Sequence, residues 1–154
     1  MIENLDAYKA AYTPQFAFHR DEELLLQAYS AKIVSRLRGR RALRLLSLGI
    51  GGQTVSTTLR SQLDIGEYHI VEGSGEIIAT YCATTSPPDN VIIHHERFEN
   101  INLEEHGFDA IEMGFVLEHV DDPDAVLRRF RAFLKPGGAL FTAVPNARSL
   151  HRLV

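Results

Sequence analysis

The sequence has 154 residues, of which 45% are hydrophobic and 23% are charged. A chain of this length and composition is typical of one compact globular domain, which excludes a fibrous protein, a disordered protein and two full domains. Its formal net charge of -4 at pH 7 predicts no general attraction to a phosphate backbone, so no nucleic acid partner is expected.

Residues 1–40 predict a lead-in followed by a helix. The first 20 residues are rich in aromatic side chains and contain a Thr-Pro break, which favours an irregular or partly helical segment. From Asp21 onward, apolar residues recur at helical spacing, and we expect a helix that ends near Gly39 with one apolar side on a sheet. That side consists of Leu24, Leu25, Ala28, Ile33, Val34 and Leu37.

The segment 1–40 is also a candidate lid over a ligand cleft, in which Tyr12, Phe16 or His19 would touch the ligand. The arginines at the end of the predicted helix and in the connection after it have two interpretations. They could form a patch for an anionic ligand, but we favour solvated cations, because the helix dipole attracts positive charge at a C-terminus. These arginines are Arg36, Arg38, Arg40, Arg41 and Arg44.

In residues 41–154, apolar strand patterns alternate with helix patterns. We predict strands at 43–48, 67–72, 91–94, 108–113 and 139–144, and helices at 53–63, after Ser74 and after Asp122-Pro123. Lys-Pro-Gly-Gly (135–138) is expected to end the last helix and turn the chain into the fifth strand. This alternation predicts an α/β fold with a doubly wound, mainly parallel sheet and helices on both faces.

A glycine-rich turn, Gly49-Ile50-Gly51-Gly52, directly follows the first predicted strand. In doubly wound sheets, ligands bind beyond the carboxyl ends of the strands. Glycines there let the backbone approach a ligand and adopt left-handed conformations. The alternative is a turn that only permits tight packing.

Glu72 ends the second predicted strand. A carboxylate at this position can accept hydrogen bonds from both ribose hydroxyls of an adenosine group. The alternative is a carboxylate that faces water or caps the next helix.

In combination, five segments resemble class I S-adenosylmethionine-dependent methyltransferases, particularly the branch that acts on small molecules. The resemblance implies a Rossmann-like sheet, S-adenosylmethionine as cofactor, and in-line transfer of its methyl group to oxygen or nitrogen of a small-molecule acceptor. The segments are Leu-Ser-Leu-Gly-Ile-Gly-Gly (46–52), Val-Glu-Gly-Ser (71–74), Phe-Asp-Ala-Ile-Glu-Met-Gly-Phe-Val-Leu-Glu-His-Val (108–120), Leu-Lys-Pro-Gly-Gly (134–138) and Val-Pro-Asn (144–146).

The same resemblance implies roles for individual residues. Gly49 and Gly51, with Ile50 between them, pass beneath the amino-acid part of the cofactor, and Glu72 with Gly73 holds the ribose. The implied adenine neighbours are Phe98 and Glu99, and Met113 and Gly114 line the cleft. Three positions depart from the family pattern: Ile50 replaces a residue that is often small, Gln53 stands where another glycine is common, and Arg97 stands where an aspartate is expected.

His119 is the candidate catalytic residue, because the family places this segment beside the acceptor and a neutral histidine can remove a proton from a hydroxyl or amine. The alternative is a histidine that fixes the loop through hydrogen bonds. His94 and His95 are neighbours on a predicted strand and point to opposite faces, so they form no paired metal site. We expect no metal.

The sequence ends before the two further strands that the family normally has. We therefore expect the fifth strand to keep an unpaired edge, through which a homo-oligomer could form. The lone Cys82 and the absence of a signal peptide favour a cytoplasmic location. No apolar run approaches the ~20 residues of a membrane span, so no membrane partner is expected.

Two rival functions remain open. One is a nicotinamide-dependent oxidoreductase, but Thr54 stands where the dinucleotide fingerprint has its third glycine. The other is a non-catalytic module with a methyltransferase-like fold, which the unusual loop residues and the short C-terminal part would favour.

Overall fold

A computed structural model of the protein describes residues 19–51 and 53–146. These residues form a parallel sheet with helices on both faces. The strands are β1 (Leu43–Leu48), β2 (Ile65–Glu72), β3 (Val91–His95), β4 (Phe108–Gly114) and β5 (Leu134–Ala143). The α-helices are α1 (His19–Leu37), α2 (Thr54–Gln62), α3 (Gly75–Thr85) and α4 (Pro123–Phe133), and a short 3-10 helix spans Leu117–His119.

The strand order is β3-β2-β1-β4-β5, and each neighbouring pair is parallel. The chain builds outward from β1 on one side through β2 and β3, and then returns to the other side for β4 and β5. The predicted doubly wound α/β fold is therefore confirmed. Because the order reverses between β1 and β4, the carboxyl ends of these two strands mark the place where such sheets bind ligands.

Each face of the sheet has its own apolar core. On the first face, α1, α2 and α3 bury residues against β1, β2 and β4, among them Ile33, Leu59, Tyr81, Leu45 and Ile70. On the second face, α4 packs with the segment that follows β3, and this core includes Phe130, Phe133, Ile101, Leu46 and Ile111. Because both faces of β1 are buried, its residues do not alternate between apolar and polar.

Two predicted helix starts are confirmed by their capping bonds. The Ser74 hydroxyl accepts a hydrogen bond from the Ile77 amide at 3.3 Å at the start of α3. At the start of α4, the Asp122 carboxylate accepts from the Ala125 amide at 2.9 Å, and Pro123 occupies the first turn. Both caps satisfy amides that have no partner inside the helix.

The predicted apolar side of α1 is wrong in its first half. Leu24 and Leu25 are 56% and 57% exposed. The buried side of this helix instead includes Ser30 and Ile33. Ser30 is fully buried, and its hydroxyl donates a hydrogen bond to the Leu26 carbonyl. A serine that bonds within its own helix can occupy a core position, and a search for apolar residues alone overlooks it.

The predicted start of the fifth strand is also wrong. Strand β5 begins at Leu134 rather than at Ala139, because α4 runs directly into extended backbone without a turn. Phe108 of β4 pairs with Leu134, and Ala110 pairs with Ala139. The segment 135–138 therefore forms a bulge, in which Gly137 takes a left-handed φ of 77°.

Residues 1–18 lie outside the described residues, and so do the lid candidates Tyr12 and Phe16; of His19 only the helical backbone is described. The second half of α1 packs in the same core as α2 and α3, so the predicted boundary at residue 40 does not separate two cores. Within the part of the chain that the structure describes, no helix is both long and apolar enough to cross a membrane.

Candidate functional site

The glycine loop after β1 is a tight turn built on left-handed backbone. Gly49 has a φ of 80° and Gly51 a φ of 53°, values that strain a residue with a side chain. The Gly49 amide donates to the Val71 carbonyl at 2.8 Å, which holds the loop against β2. Gln53 also takes a left-handed φ of 66° where it caps α2. The backbone at this position thus has a conformation natural to glycine, although the residue is glutamine.

The Glu72 carboxylate fastens the loop to the end of β2. Its side chain is buried, and the residue is 7% exposed. One oxygen accepts from the Ile50 amide at 3.2 Å and the other from the Ser74 amide at 2.8 Å. The alternative that Glu72 faces water is therefore wrong. Its bond to the Ser74 amide agrees with the other alternative, a carboxylate that stabilises the start of α3. A carboxylate has about four lone-pair directions, so Glu72 retains acceptor capacity for a ligand.

A second buried carboxylate, Glu112, lies beneath the same edge. Glu112 of β4 pairs in register with Ser47 of β1 and accepts a hydrogen bond from its hydroxyl. The carboxylate also accepts from the Gly114 amide at 3.2 Å and from the Tyr29 hydroxyl at 3.3 Å. These bonds join β1, β4 and α1 around one acidic group.

Burial raises the pKa of the Glu112 carboxyl, although the hydrogen bonds from Ser47, Gly114 and Tyr29 oppose that rise. Burial, and then the charge of Glu112, raises the pKa of the Tyr29 hydroxyl. The site therefore favours neutral forms of both groups. Our sequence reasoning missed this pair. The available signal was a polar residue inside an apolar run of each strand, Ser47 between Leu46 and Leu48 in β1 and Glu112 between Ile111 and Met113 in β4.

Gly114 allows α1 to lie over the end of β4. A Cβ atom at this position would meet the Tyr29 ring at 2.7 Å, which is too close for real contacts. The Tyr29 hydroxyl also contacts β5, where it donates a hydrogen bond to the Phe141 carbonyl at 3.0 Å. The ring of Tyr29 thus covers the end of β4 from the α1 side.

The structure brings six predicted cofactor residues to the carboxyl edge of the sheet, in the turn after β1 and at the ends of β2 and β4: Gly49, Ile50, Gly51, Glu72, Gly73 and Gly114. The side chain of Ile50 packs in the first core. Met113 is 0% exposed and packs in the second core, so its side chain does not line an open cleft.

The segment after β3 leaves the sheet beside Glu72, because the Glu96 amide donates to the Glu72 carbonyl at 3.2 Å. Phe98 and Glu99 follow in a turn, where Phe98 packs against the second core and Glu99 is exposed. The implied contacts of these two residues with adenine stay predictions.

His119 lies in the 3-10 helix after β4 and is exposed. Its amide donates to the Val116 carbonyl at 2.9 Å. The residue therefore follows the same edge of the sheet as Gly114, and its catalytic role stays a prediction.

His94 and His95 lie on β3, the strand beside β2. His94 stacks on His69, with ring nitrogens 2.9 Å apart, while His95 lies near Gly75 on the opposite face. Burial, and then the neighbouring His69, lowers the pKa of His94. Within residues 19–51 and 53–146, no three His, Cys, Asp or Glu side chains are grouped so as to hold a metal ion.

Comparison with known proteins identifies the family. A family model described as a methyltransferase domain matches residues 46–140, which is more than half of the chain. Over 49 residues, the chain is 45% identical to a ubiquinone biosynthesis O-methyltransferase of Xanthomonas axonopodis pv. citri. That match covers 31% of this chain and 20% of the relative.

Solved structures share the fold at low sequence identity. A chain from the complex between the Haloferax volcanii Trm112 methyltransferase activator and a methyltransferase aligns with a TM-score of 0.67 and 22% identity, over 83% of this chain and 58% of that one. The trans-methyltransferase CalH, solved in complex with SAH, aligns with a TM-score of 0.63 and 19% identity, over 77% of this chain and 39% of that one. The chain thus spans less than two thirds of these relatives.

Proposed function

This chain belongs to the class I S-adenosylmethionine-dependent methyltransferase family, and from that premise we propose that its carboxyl sheet edge binds S-adenosylmethionine. We further propose that the whole protein methylates an oxygen or nitrogen of a small molecule. The observation that carries the proposal is the buried Glu72 carboxylate, which is bonded to the amide of Ile50 in the glycine loop.

The residues at this edge fit such a cofactor. Apart from the neighbouring residues in the chain, no atom of the described residues lies within 4 Å of a Cβ built on Gly49 or Gly51, so these residues leave room for a ligand on the loop backbone. Glu72 would accept from the ribose hydroxyls with its remaining lone pairs. S-adenosylmethionine carries a positive sulfonium, which suits an edge with two buried acidic side chains, Glu72 and Glu112.

When bound, the cofactor supplies a methyl group that an acceptor displaces in line from sulfur. The leaving thioether is neutral, so the protein mainly aligns the reacting atoms and excludes water. Tyr29, which packs on Gly114, would shield the site from the α1 side. If the acceptor is a hydroxyl, His119 would take its proton; an amine acceptor would need only alignment.

The Xanthomonas relative is a ubiquinone biosynthesis O-methyltransferase, which supports oxygen as the acceptor atom. A nicotinamide cofactor is disfavoured because α2 begins at Thr54, where the dinucleotide fingerprint needs a glycine. The non-catalytic module is the remaining alternative, and transfer of a methyl group to any acceptor would exclude it.

Calorimetric titration with S-adenosylhomocysteine tests the proposal. We expect micromolar binding to the unchanged chain and no binding of NAD. Glu72→Gln should weaken binding by roughly 30-fold or more, because it removes charge-assisted hydrogen bonds of about 2 kcal/mol. The matched control is Glu105→Gln, since Glu105 is exposed and lies before β4, at the opposite edge.

Denaturant unfolding of each variant separates lost binding from lost folding. Unchanged affinity in a folded Glu72→Gln variant would contradict the assigned cleft, and equal binding of NAD would contradict the proposed cofactor. A radioactive methyl-transfer screen over phenols, sugars and amines would then identify the acceptor class.

A further inference from the structure

Among the described residues, the Glu112 carboxyl has only neutral hydrogen-bond partners. Its hydrogen-bond donors are the Ser47 hydroxyl, the Gly114 amide and the Tyr29 hydroxyl. The ionisable groups that face it are Tyr29 from α1 and Tyr68 from β2. No lysine or arginine in the described ranges forms an ion pair with it, and β5 contributes only the Phe141 carbonyl beside Tyr29.

Counting protons shows that this network has two states. The Tyr29 hydroxyl has one proton but two acceptors in reach, the Phe141 carbonyl at 3.0 Å and Glu112 at 3.3 Å. If Glu112 is protonated, it can donate to Tyr29 while Tyr29 donates to Phe141, and every group is satisfied. If Glu112 is ionised, Tyr29 can turn its proton to the carboxylate, and it then no longer donates to the Phe141 carbonyl.

The network lies directly below the glycine loop. The Ser47 hydroxyl that bonds Glu112 is also 3.4 Å from the Gly49 carbonyl. A small cavity beside Glu112 is otherwise lined by apolar side chains, including Ile33, Leu59 and Phe141. A charge in such surroundings is weakly screened, so it acts strongly on a ligand that lies over the loop.

Resting on the proposed function, we infer that Glu112 distinguishes the cationic methyl donor from its neutral thioether product, by releasing its proton to solvent when the donor binds. S-adenosylmethionine carries one more positive charge than S-adenosylhomocysteine. An ionised Glu112 attracts that charge, whereas the product leaves the carboxyl protonated. The donor is therefore favoured over the product, which helps the product to leave.

Burial supplies the physical basis for the proton release. Because it raises the pKa of Glu112, the buried carboxyl holds its proton more tightly than an exposed glutamate would. A cation over the loop lowers that pKa again, and the proton passes to the buffer. Binding of the donor then becomes stronger as pH rises.

Calorimetry at pH 7 in two buffers of different ionisation enthalpy measures the protons released for each ligand bound. We expect release of up to roughly one proton with S-adenosylmethionine and clearly less with S-adenosylhomocysteine. Glu112→Gln should abolish the difference and reduce the preference for the donor over the product by roughly 10-fold. Glu105→Gln should behave as the unchanged chain.

Tyr29→Phe provides a second test that does not depend on the folding of Glu112→Gln. Loss of this donor should shift the midpoint of proton release to higher pH without abolishing it, because the ionised carboxylate loses a hydrogen bond. Equal proton release with both ligands, or release that neither substitution alters, would overturn the inference and leave the proposed function intact. Failure of both ligands to bind the unchanged chain would overturn both.

Discussion

The two ends of the same sheet hold their acidic side chains in opposite ways. At the amino end, carboxylates pair with cations near the surface. Arg44 contacts Glu67 and Glu104 at 2.7 Å each, and Lys135 contacts Asp109 at 2.8 Å. These pairs link β1, β2, β4 and β5 and leave their charges partly in water.

At the carboxyl end, Glu72 and Glu112 are buried, and neither forms an ion pair within the part of the chain that the structure describes. Their partners are amides and hydroxyls. Exposed ion pairs add little stability, whereas a buried carboxylate without a cation is unfavourable unless hydrogen bonds compensate for lost water. The charges at the amino end are thus balanced within the fold, whereas the carboxyl end keeps two buried acidic groups at the edge where we propose that the cofactor binds.

The largest loss of stability is expected where an added side chain crowds the carboxyl end of the sheet. Gly114→Ala should lower the free energy of unfolding by about 1–3 kcal/mol, because the new methyl group would overlap the Tyr29 ring. Denaturant unfolding measures this change. The control is Gly75→Ala, where a Cβ would meet only the edge of the His95 ring at 3.3 Å. If both variants are as stable as the unchanged chain, α1 does not cover β4 as described.

Stability should depend on pH with opposite sign at the two ends. The pKa of Glu112 is raised by burial, so its folded state binds more protons than the unfolded chain above about pH 4.5, where an exposed glutamate titrates. Stability is then lost as pH rises through the folded pKa, with a slope of up to about 1.4 kcal/mol per pH unit. Glu112→Gln should remove this slope.

For Asp109, burial opposes ionisation, but hydrogen bonds from Lys135 and the Arg44 amide outweigh it and lower the pKa. Its contribution is present above about pH 3.8, the ordinary value for aspartate, and is lost as pH falls through the folded pKa. Asp109→Asn should cost about 1 kcal/mol at neutral pH and less in acid. Thermal unfolding from pH 3 to pH 8 measures both pH dependences. Equal slopes of stability against pH in Glu112→Gln and Asp109→Asn would contradict the expected opposite signs.

The smallest expected effect is at the exposed arginine pairs. Arg44→Met should reduce stability less than Asp109→Asn does, because Glu67 and Glu104 remain in contact with water. Raising the salt concentration should bring the stability of Arg44→Met still closer to that of the unchanged chain. Methionine keeps an apolar contact with Phe108, over which Arg44 lies. A large loss of stability that does not depend on salt would contradict the expectation that Arg44 forms only weak surface ion pairs.

The sequence predicted the parts of the molecule that depend on local patterns. Strand β1 and the caps at Ser74 and Asp122 follow from apolar runs and from the chemistry of helix starts. Ser30 in the buried stripe of α1 and the bulge at 135–138 did not follow, because tertiary packing decides both. The contact between Tyr29 and Glu112 joins residues 83 positions apart, and nothing local indicates it. Ligand roles for Gly49 and Glu72 were predicted from their positions after the first two strands and made specific by the family resemblance, and they stay predictions.

An amide NMR titration of the isotope-labelled chain with S-adenosylhomocysteine shows most directly at which end of the sheet the cofactor binds. If the cofactor binds at the carboxyl end, the amides of Gly49, Ile50, Glu72, Ser74 and Gly114 should shift most, while Arg44, Glu67 and Asp109 at the amino end should hardly move. Shifts concentrated at the amino end, or no saturable shifts at all, would contradict the account.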